Sequence, residues 1–168
     1  MPQMHLIEGP VGAGKSTFAL QLSKHHAAPR LILDDWMATL FRPDRPTIGV
    51  VEWYVERKQR CIDQIWKLSC GLIKSGADVV LELGLIDKQS RERFYARVDA
   101  AGYSFKIYVL DAARETRRER VIERNQQRGE TFSMEVPEHF FEMASDMWEA
   151  PDELESAKRD IQFLFTEI

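Results

Sequence analysis

The stretch IEGPVGAGKSTFAL, residues 7–20, decides the fold of this chain, because it holds three of the nine glycines and follows them with a lysine and two hydroxyls. The apolar run MHLI (4–7) before it predicts a buried strand, and STFALQLSKHH (16–26) after it has the spacing of a helix. The glycines therefore lie at a strand-to-helix turn. The residues that match the phosphate-loop pattern G-x-x-x-x-G-K-[ST] are Gly9, Gly14, Lys15 and Ser16.

Each residue type in this loop has a physical role in binding a nucleoside triphosphate. Glycines let the backbone adopt positive φ, so that its N–H groups approach phosphate oxygens, and a helix N-terminus adds further unpaired N–H groups. We expect Lys15 to reach the β- and γ-phosphates and Ser16 to bind Mg²⁺. The alternative is a glycine-rich turn that binds nothing. The loop residues predicted to bind the nucleotide are Gly9, Gly12, Ala13, Gly14, Lys15, Ser16 and Thr17.

The composition is that of an ordinary globular protein, with 44% apolar and 30% charged residues. Its 168 residues predict one domain, 1–168, with enough chain for a core. A net charge of −4 does not favour broad binding to nucleic acid or to an anionic membrane. It is compatible with a local basic patch. Without a signal peptide or a long apolar run, we expect a cytoplasmic protein. Oligomeric state is not indicated.

The rest of the chain alternates apolar strands with helices. This alternation predicts the α/β, three-layer fold of P-loop NTPases, in which helices flank a parallel sheet of about five strands. Ligands of such folds lie beyond the carboxyl ends of the strands. Beyond the first strand and helix, we predict strands at 30–33, 78–83, 104–110 and 161–165, a long helix from Val51 to Ser75, and helices ending at Gly102 and Gly129 and following Pro137.

Acidic residues fall at two of these strand ends. Glu82 closes the third strand, where it could support a Mg²⁺-bound water or only cap the next turn. Asp34 and Asp35 follow the second strand, and either could be the general base that takes a proton from an acceptor hydroxyl. Since neighbouring side chains of an extended strand point to opposite faces, we expect one of the two to face the phosphates and the other to serve as a helix N-cap.

An arginine-rich segment, RETRRERVIERNQQRG (114–129), follows the fourth strand. Interleaved glutamates favour a solvated helix face with i,i+4 ion pairs. The positions of Arg124 and Arg128 also suit a helical lid, at about 114–136, that closes its arginines onto the transferring phosphoryl group. The arginines to which we assign only the solvated face are Arg114, Arg117 and Arg118.

Together these segments resemble small P-loop kinases, a group that includes polynucleotide 5′-kinases, chloramphenicol phosphotransferase and zeta toxins. The resemblance implies ATP and Mg²⁺ as cofactors, Asp34 as the base, and Arg124 and Arg128 as residues that grip ATP phosphates. It extends from residue 4 to about residue 145. The segments that carry it are GPVGAGKST (9–17), LDDWM (33–37), VVLELGL (79–85) with Arg91 downstream, and ERNQQRG (123–129) followed by VPEHFFEM (136–143).

Two departures from these relatives concern the acceptor. Polynucleotide kinases carry an arginine where this chain has Met37, and ELGL (82–85) stands where relatives often have DGTN. The substrate contacts that we predict are Asp35 and Arg91. Arg42 and Arg45 are further cations near the strand ends.

The leading hypothesis is an ATP- and Mg²⁺-dependent phosphotransferase that moves the γ-phosphate to a hydroxyl acceptor, which we expect to be a small molecule. One alternative is a polynucleotide 5′-hydroxyl kinase. A second is a nucleotide-dependent switch protein with slow ATP hydrolysis, and a third is a relic that binds ATP without turnover. A guanine-type switch would need an [NT]-K-x-D motif, which the sequence lacks. The identity of the acceptor is not encoded in any motif.

Overall fold

Five parallel strands form the central sheet in a computed structural model of the protein, which describes residues 1–166. The strands lie in the order β2-β3-β1-β4-β5, so that β1, which leads into the glycine-rich loop, occupies the centre. Every pairing is parallel, and this confirms the predicted α/β fold. The bounds are β1 (Gln3–Glu8), β2 (Arg30–Ile32), β3 (Val79–Glu82), β4 (Ser104–Asp111) and β5 (Ile161–Phe165).

Helices connect the strands and cover both faces of the sheet. The predicted helices are confirmed at their positions to within a few residues. A further helix near the C-terminus, of 5 residues, is too short to show an apolar period and was not predicted. Within residues 1–166 the helices are α1 (Lys15–His26), α2 (Leu33–Leu40), α3 (Val50–Lys74), α4 (Lys88–Ala101), α5 (Arg114–Gln127), α6 (Glu138–Met147) and α7 (Glu153–Ala157), with a 3₁₀ turn at Arg42–Asp44.

The second strand is shorter than predicted, and this changes the setting of the two aspartates. β2 ends at Ile32 and α2 begins at Leu33, so Asp34 and Asp35 occupy the first turn of a helix. Acidic residues are favoured there by the helix dipole. The N-cap is Ile32, and no side chain among the described residues caps this helix. The expectations of strand alternation and of an aspartate N-cap are therefore wrong.

Apolar side chains bury both faces of the sheet, as a parallel sheet requires. Ile65 of α3 and Phe94 and Val98 of α4 pack against one face. Ala19 and Leu22 of α1 pack against the other. With both faces held, the carboxyl ends of β1, β2 and β3 stay aligned in register, and the loops that follow them converge at one edge.

The turn that follows β1 leaves no room for a side chain at Gly9. A Cβ atom there would lie 2.1 Å from the carbonyl oxygen of Leu110, and φ is +145°. We expect Gly9→Ala to lower the free energy of unfolding by about 1–3 kcal/mol, the usual cost of overpacking. Urea unfolding followed by circular dichroism measures this change.

Gly71→Ala is the matched control, because this glycine lies inside α3 and no atom of residues 1–166 outside its own helix turn comes within 4 Å of its added Cβ. Alanine should stabilise that exposed helical position by about 0.5–1 kcal/mol. An unchanged midpoint for Gly9→Ala beside a stabilised Gly71→Ala would contradict the close packing described for the loop.

Candidate active site at the carboxyl edge of the sheet

The loop between β1 and α1 is bent by three glycines with positive φ: Gly9 at +145°, Gly12 at +80° and Gly14 at +94°. Gly14 is the N-cap of α1, and no side chain of the part of the chain described caps this helix. The N–H groups of its first turn therefore lack the partners that capping would supply. Bent backbone followed by an uncapped helix N-terminus is the geometry of an anion site.

Lys15 lies across this loop, where its Nζ donates a hydrogen bond to the carbonyl of Pro10 at 2.9 Å. The surrounding protein lowers the pKa of Lys15 by removing water, and the nearby carboxylates of Glu82 and Asp34 act in the opposite direction. Lys15 is thus a partly buried cation whose charge acts on two carboxylates of the site.

Ala13 and Thr17, two further loop residues of the predicted set, differ in their exposure to solvent. The side chain of Ala13 is fully buried, and its N–H donates to the carbonyl of Pro10 at 3.3 Å. In this conformation Ala13 therefore offers no free donor. Thr17 is exposed in the first turn of α1.

The structure joins Ser16 to Glu82. The Ser16 hydroxyl donates to Oε2 of Glu82 at 3.2 Å, and Glu82 is buried at the end of β3 between the ends of β1 and β2. Burial raises the pKa of Glu82, with Lys15 opposing this effect. A hydroxyl and a carboxylate at this separation are the oxygen ligands that Mg²⁺ prefers, so the pair fits a magnesium site.

Asp34 and Asp35 take different directions from the first turn of α2. Asp34 keeps one side open to solvent in the cleft, yet its pKa is raised because the cleft walls remove much of its water. Asp34 follows Ile32, the partner of Glu82 in the sheet, and therefore lies at the same edge as the phosphate loop. The charges of Lys15, Arg124 and Lys58 oppose the rise in its pKa. Asp35 accepts a hydrogen bond from the hydroxyl of Ser133, in the segment that follows α5.

The two lid arginines also separate. The Nε of Arg124 is buried without a hydrogen-bond partner among residues 1–166, and its charge acts on both Lys15 and Asp34. Buried donors of this kind normally have an acceptor, which a phosphate oxygen would supply. Arg128, at the C-terminal end of α5, pairs with Glu135 at 3.3 Å and is exposed. Arg124 is thus close enough for its charge to act on Lys15 and Asp34, whereas Arg128 lies on the surface at the end of α5.

The structure does not support Arg91 as a substrate contact. Its side chain is fully buried, and its Nε and Nη2 donate to the carboxylate of Glu155 at 2.7 and 3.1 Å. Its Nη1 donates to the carbonyl of Glu149 at 2.7 Å. The guanidinium therefore anchors the segment before β5 to α4. No local pattern could have revealed a partner 64 positions away.

Lys58 and Tyr54 were not predicted as site residues, because the apolar pattern of the long helix α3 indicates only packing against the core. Lys58 donates to the carbonyl of Gly84 at 2.8 Å, and its charge acts on Asp34. Tyr54 lies one turn earlier, and burial together with the charge of Asp34 raises its pKa to about 12. The i,i+4 spacing of these two residues was the available signal. They add an ammonium group and a phenol to the surroundings of Asp34.

The position of Arg117 shows that its assignment to a solvated helix face is wrong. It is buried, and its Nε and Nη1 donate to the carbonyls of Ala112 at 3.1 Å and Val11 at 2.9 Å. Arg117 therefore holds the phosphate loop from behind. Arg114 and Arg118 lie nearer the surface, as expected, but both bond Glu142 of α6.

Because Arg91 is an anchor, its removal should affect stability. Arg91→Ala would leave the carboxylate of Glu155 buried without its cation, and the loss of one partner of a buried pair costs about 3–5 kcal/mol. Chemical denaturation measures this loss. Arg97→Ala on the same helix is the control, because its ion pair with Asp63 is partly exposed and should be worth about 0–1 kcal/mol. Equal losses for the two variants would contradict the anchoring role.

Comparison with known proteins agrees with this architecture. A family model described as "AAA domain" matches residues 4–151. A proposed kinase from Chloroflexus aurantiacus j-10-fl superposes with a TM-score of 0.72 at 17% identity, over 98% of this chain and 85% of that one. The APS kinase CysC of Mycobacterium tuberculosis, in complex with AMPPNP and APS, gives 0.63 at 15% identity, over 99% and 90%. A chain of the Pnkp1/Rnl/Hen1 RNA repair complex gives 0.63 at 19%, over 95% and 46%.

At these identities the likeness establishes a shared fold, that of P-loop kinases. No curated protein matches the sequence. None of the helices within residues 1–166 combines the length and the apolar character needed to cross a membrane.

Proposed function

The chain belongs to the AAA domain family, whose model covers residues 4–151, and from this premise we propose that it is an ATP- and Mg²⁺-dependent phosphotransferase acting on a hydroxyl of a small molecule. The observation that carries the proposal is the position of Asp34 at the edge of the sheet that holds the phosphate loop, where the charges of Lys15 and Arg124 act on it. A carboxylate next to two phosphate-binding cations is of use in phosphoryl transfer and has little purpose in a protein that only binds ATP.

In this proposal the phosphate loop and Lys15 bind the β- and γ-phosphates, and Arg124 stabilises charge on the transferring group. The orphaned Nε of Arg124 supports this role, since it needs an acceptor. Ser16 and Glu82 would hold Mg²⁺, which when bound neutralises charge on the phosphates. Arg128 would join them only if the lid moved, because it now pairs with Glu135.

Asp34 is proposed as the general base. Its carboxylate would take the proton of the acceptor hydroxyl while that oxygen forms the bond to the γ-phosphorus and the bond to ADP breaks. A pKa raised above the ordinary aspartate value makes the carboxylate a stronger base. Lys58 and Tyr54, which interact electrostatically with Asp34, would orient the acceptor.

The cations available near the cleft favour a small acceptor over a nucleic-acid strand. Arg91 is taken up by Glu155, and Met37 is buried against Cys61, so neither can bind a phosphate chain. Arg42 and Arg45 are exposed and could hold one anionic group. The APS kinase structure holds a small substrate together with a nucleotide analogue, which supports a similar use of this fold.

The acceptor class can be tested with labelled ATP against a panel of nucleosides, amino sugars, aminoglycoside and phenicol antibiotics, and DNA and RNA oligonucleotides with free 5′ ends. We expect transfer to a small hydroxyl compound and little transfer to oligonucleotides, even at about 50 mM salt, where phosphate contacts bind most strongly.

Robust oligonucleotide phosphorylation that falls steeply with salt and is weakened in Arg42→Ala and Arg45→Ala would instead identify a polynucleotide kinase. Slow ATP hydrolysis without transfer to any acceptor would favour the switch protein.

With an acceptor in hand, Asp34→Asn tests the base. The change is nearly isosteric, so ATP affinity should survive while transfer falls by roughly 100-fold or more. Asp35→Asn should cost less, because Asp35 bonds the lid residue Ser133. A base acts only when deprotonated, so the rate should fall as the pH drops through its pKa. That acid limb should lie at higher pH than for an ordinary aspartate and should vanish in Asp34→Asn.

Calorimetry with ATP beside the transfer assay separates binding from chemistry, and Lys15→Ala, which should lose both, is the positive control. If Asp35→Asn costs more than Asp34→Asn, the second aspartate is the base.

A further inference from the structure

A second group of ligating side chains lies at the amino edge of the sheet, at the opposite end from the phosphate loop. His5 belongs to β1, His26 is the last residue of α1, and Asp78 immediately precedes β3. Their ligating atoms all lie within 4.8 Å of one another. Phosphoryl transfer at the carboxyl edge makes no use of these residues.

The spacing of these atoms suits a tetrahedral metal ion. His5 Nε2 and His26 Nδ1 each lie 3.3 Å from Oδ2 of Asp78. Ligands at Zn–N and Zn–O distances of about 2.0–2.2 Å, separated by the tetrahedral angle, lie about 3.3 Å from one another. Each imidazole nitrogen therefore already lies at the distance from Oδ2 of Asp78 that such an ion imposes.

Outer contacts orient two of the three ligands. Nδ1 of His5 lies 3.3 Å from the hydroxyl of Tyr108, which can fix the tautomer that leaves Nε2 free to bind a metal. Oδ1 of Asp78 accepts a hydrogen bond from the backbone N–H of Gln3 at 2.9 Å, so that Oδ2 faces the histidines. Partners of this kind are characteristic of metal-binding histidines and carboxylates.

The local charges favour a cation at this point. The C-terminal end of α1, where His26 lies, carries the negative end of the helix dipole. The carboxylate of Asp78, which both imidazoles face, adds a negative charge at the same point.

We propose that His5, His26 and Asp78 bind one divalent transition-metal ion of the zinc class, with the fourth position open to solvent on the partly exposed side of His26 and Asp78. Imidazole ligands select such ions over Mg²⁺, so this site is chemically distinct from the Ser16–Glu82 pair. The ion would tie the end of α1 to the starts of β1 and β3, which gives it a structural role.

The test uses the full chain without an affinity tag, freed of metal by a chelator and kept in excess Mg²⁺ so that the oxygen ligands of the phosphate site are saturated. Titration with Co²⁺ should produce the d–d absorption of a four-coordinate ion at one equivalent, and Zn²⁺ should displace it. Zn²⁺ should also raise the melting temperature, because a ligand that binds only the native state stabilises it.

His26→Ala and Asp78→Asn should each weaken Zn²⁺ binding by roughly 100-fold or more, beyond the 10–100-fold cost of a lost outer contact. His25→Ala is the matched control, because it removes the exposed neighbouring imidazole and should leave affinity within about twofold. Circular dichroism confirms that the variants fold. Absence of stoichiometric binding to the parent protein would overturn the proposal and leave a hydrogen-bonded cluster, as would equal affinities of the parent and both ligand variants.

Discussion

An anion site made of backbone N–H groups works only if the turn that carries them is held rigidly from behind, and much of this molecule supplies that support. Arg117 donates to the carbonyl of Val11, and the hydroxyl of Thr166 donates to the carbonyl of Ala13 at 3.0 Å. Gly9 packs against β4, and Gly12 packs against the backbone of α5. The loop is thereby fixed by β4, by α5 and by the residue that follows β5, and its N–H groups need not be ordered by the ligand.

The side chains around this loop are balanced for a charged ligand. The pKa values of Glu82 and Asp34 are raised and that of Lys15 is lowered, so loss of water shifts all three towards their neutral forms. A polyphosphate beside Lys15 would favour its charged form, and a metal ion would do the same for Glu82. These shifts therefore support the proposed function, in which a nucleotide and its cation would complete the electrostatics of the site.

The features that could be predicted from the sequence are those encoded over short distances. The phosphate loop is a contiguous pattern, and the strand IQFLF was predicted with its observed bounds because apolar runs between turn residues determine strands locally. Asp34 was placed at the correct edge but in the wrong element, since three residues of β2 give too short a pattern to locate its end. In the sequence, Arg91 and Arg117 look like surface arginines, because their acceptors are distant along the chain. His5 and His26 are likewise distant in the sequence, and only the fold brings them together.

The contacts of Arg91 with Glu155 and Glu8 also connect the C-terminal segment to the phosphate loop. Its guanidinium lies 2.7 Å from Glu155 and 3.9 Å from Glu8, so one cation serves two buried carboxyl groups. Burial raises the pKa of Glu8 to about 8, although Tyr95 donates to both of its oxygens and Arg91 opposes the shift. A proton held on Glu8 at neutral pH leaves one positive and one negative charge in the network. Since Glu8 directly precedes Gly9, the strand end that begins the loop depends on a charge balance completed by Glu155.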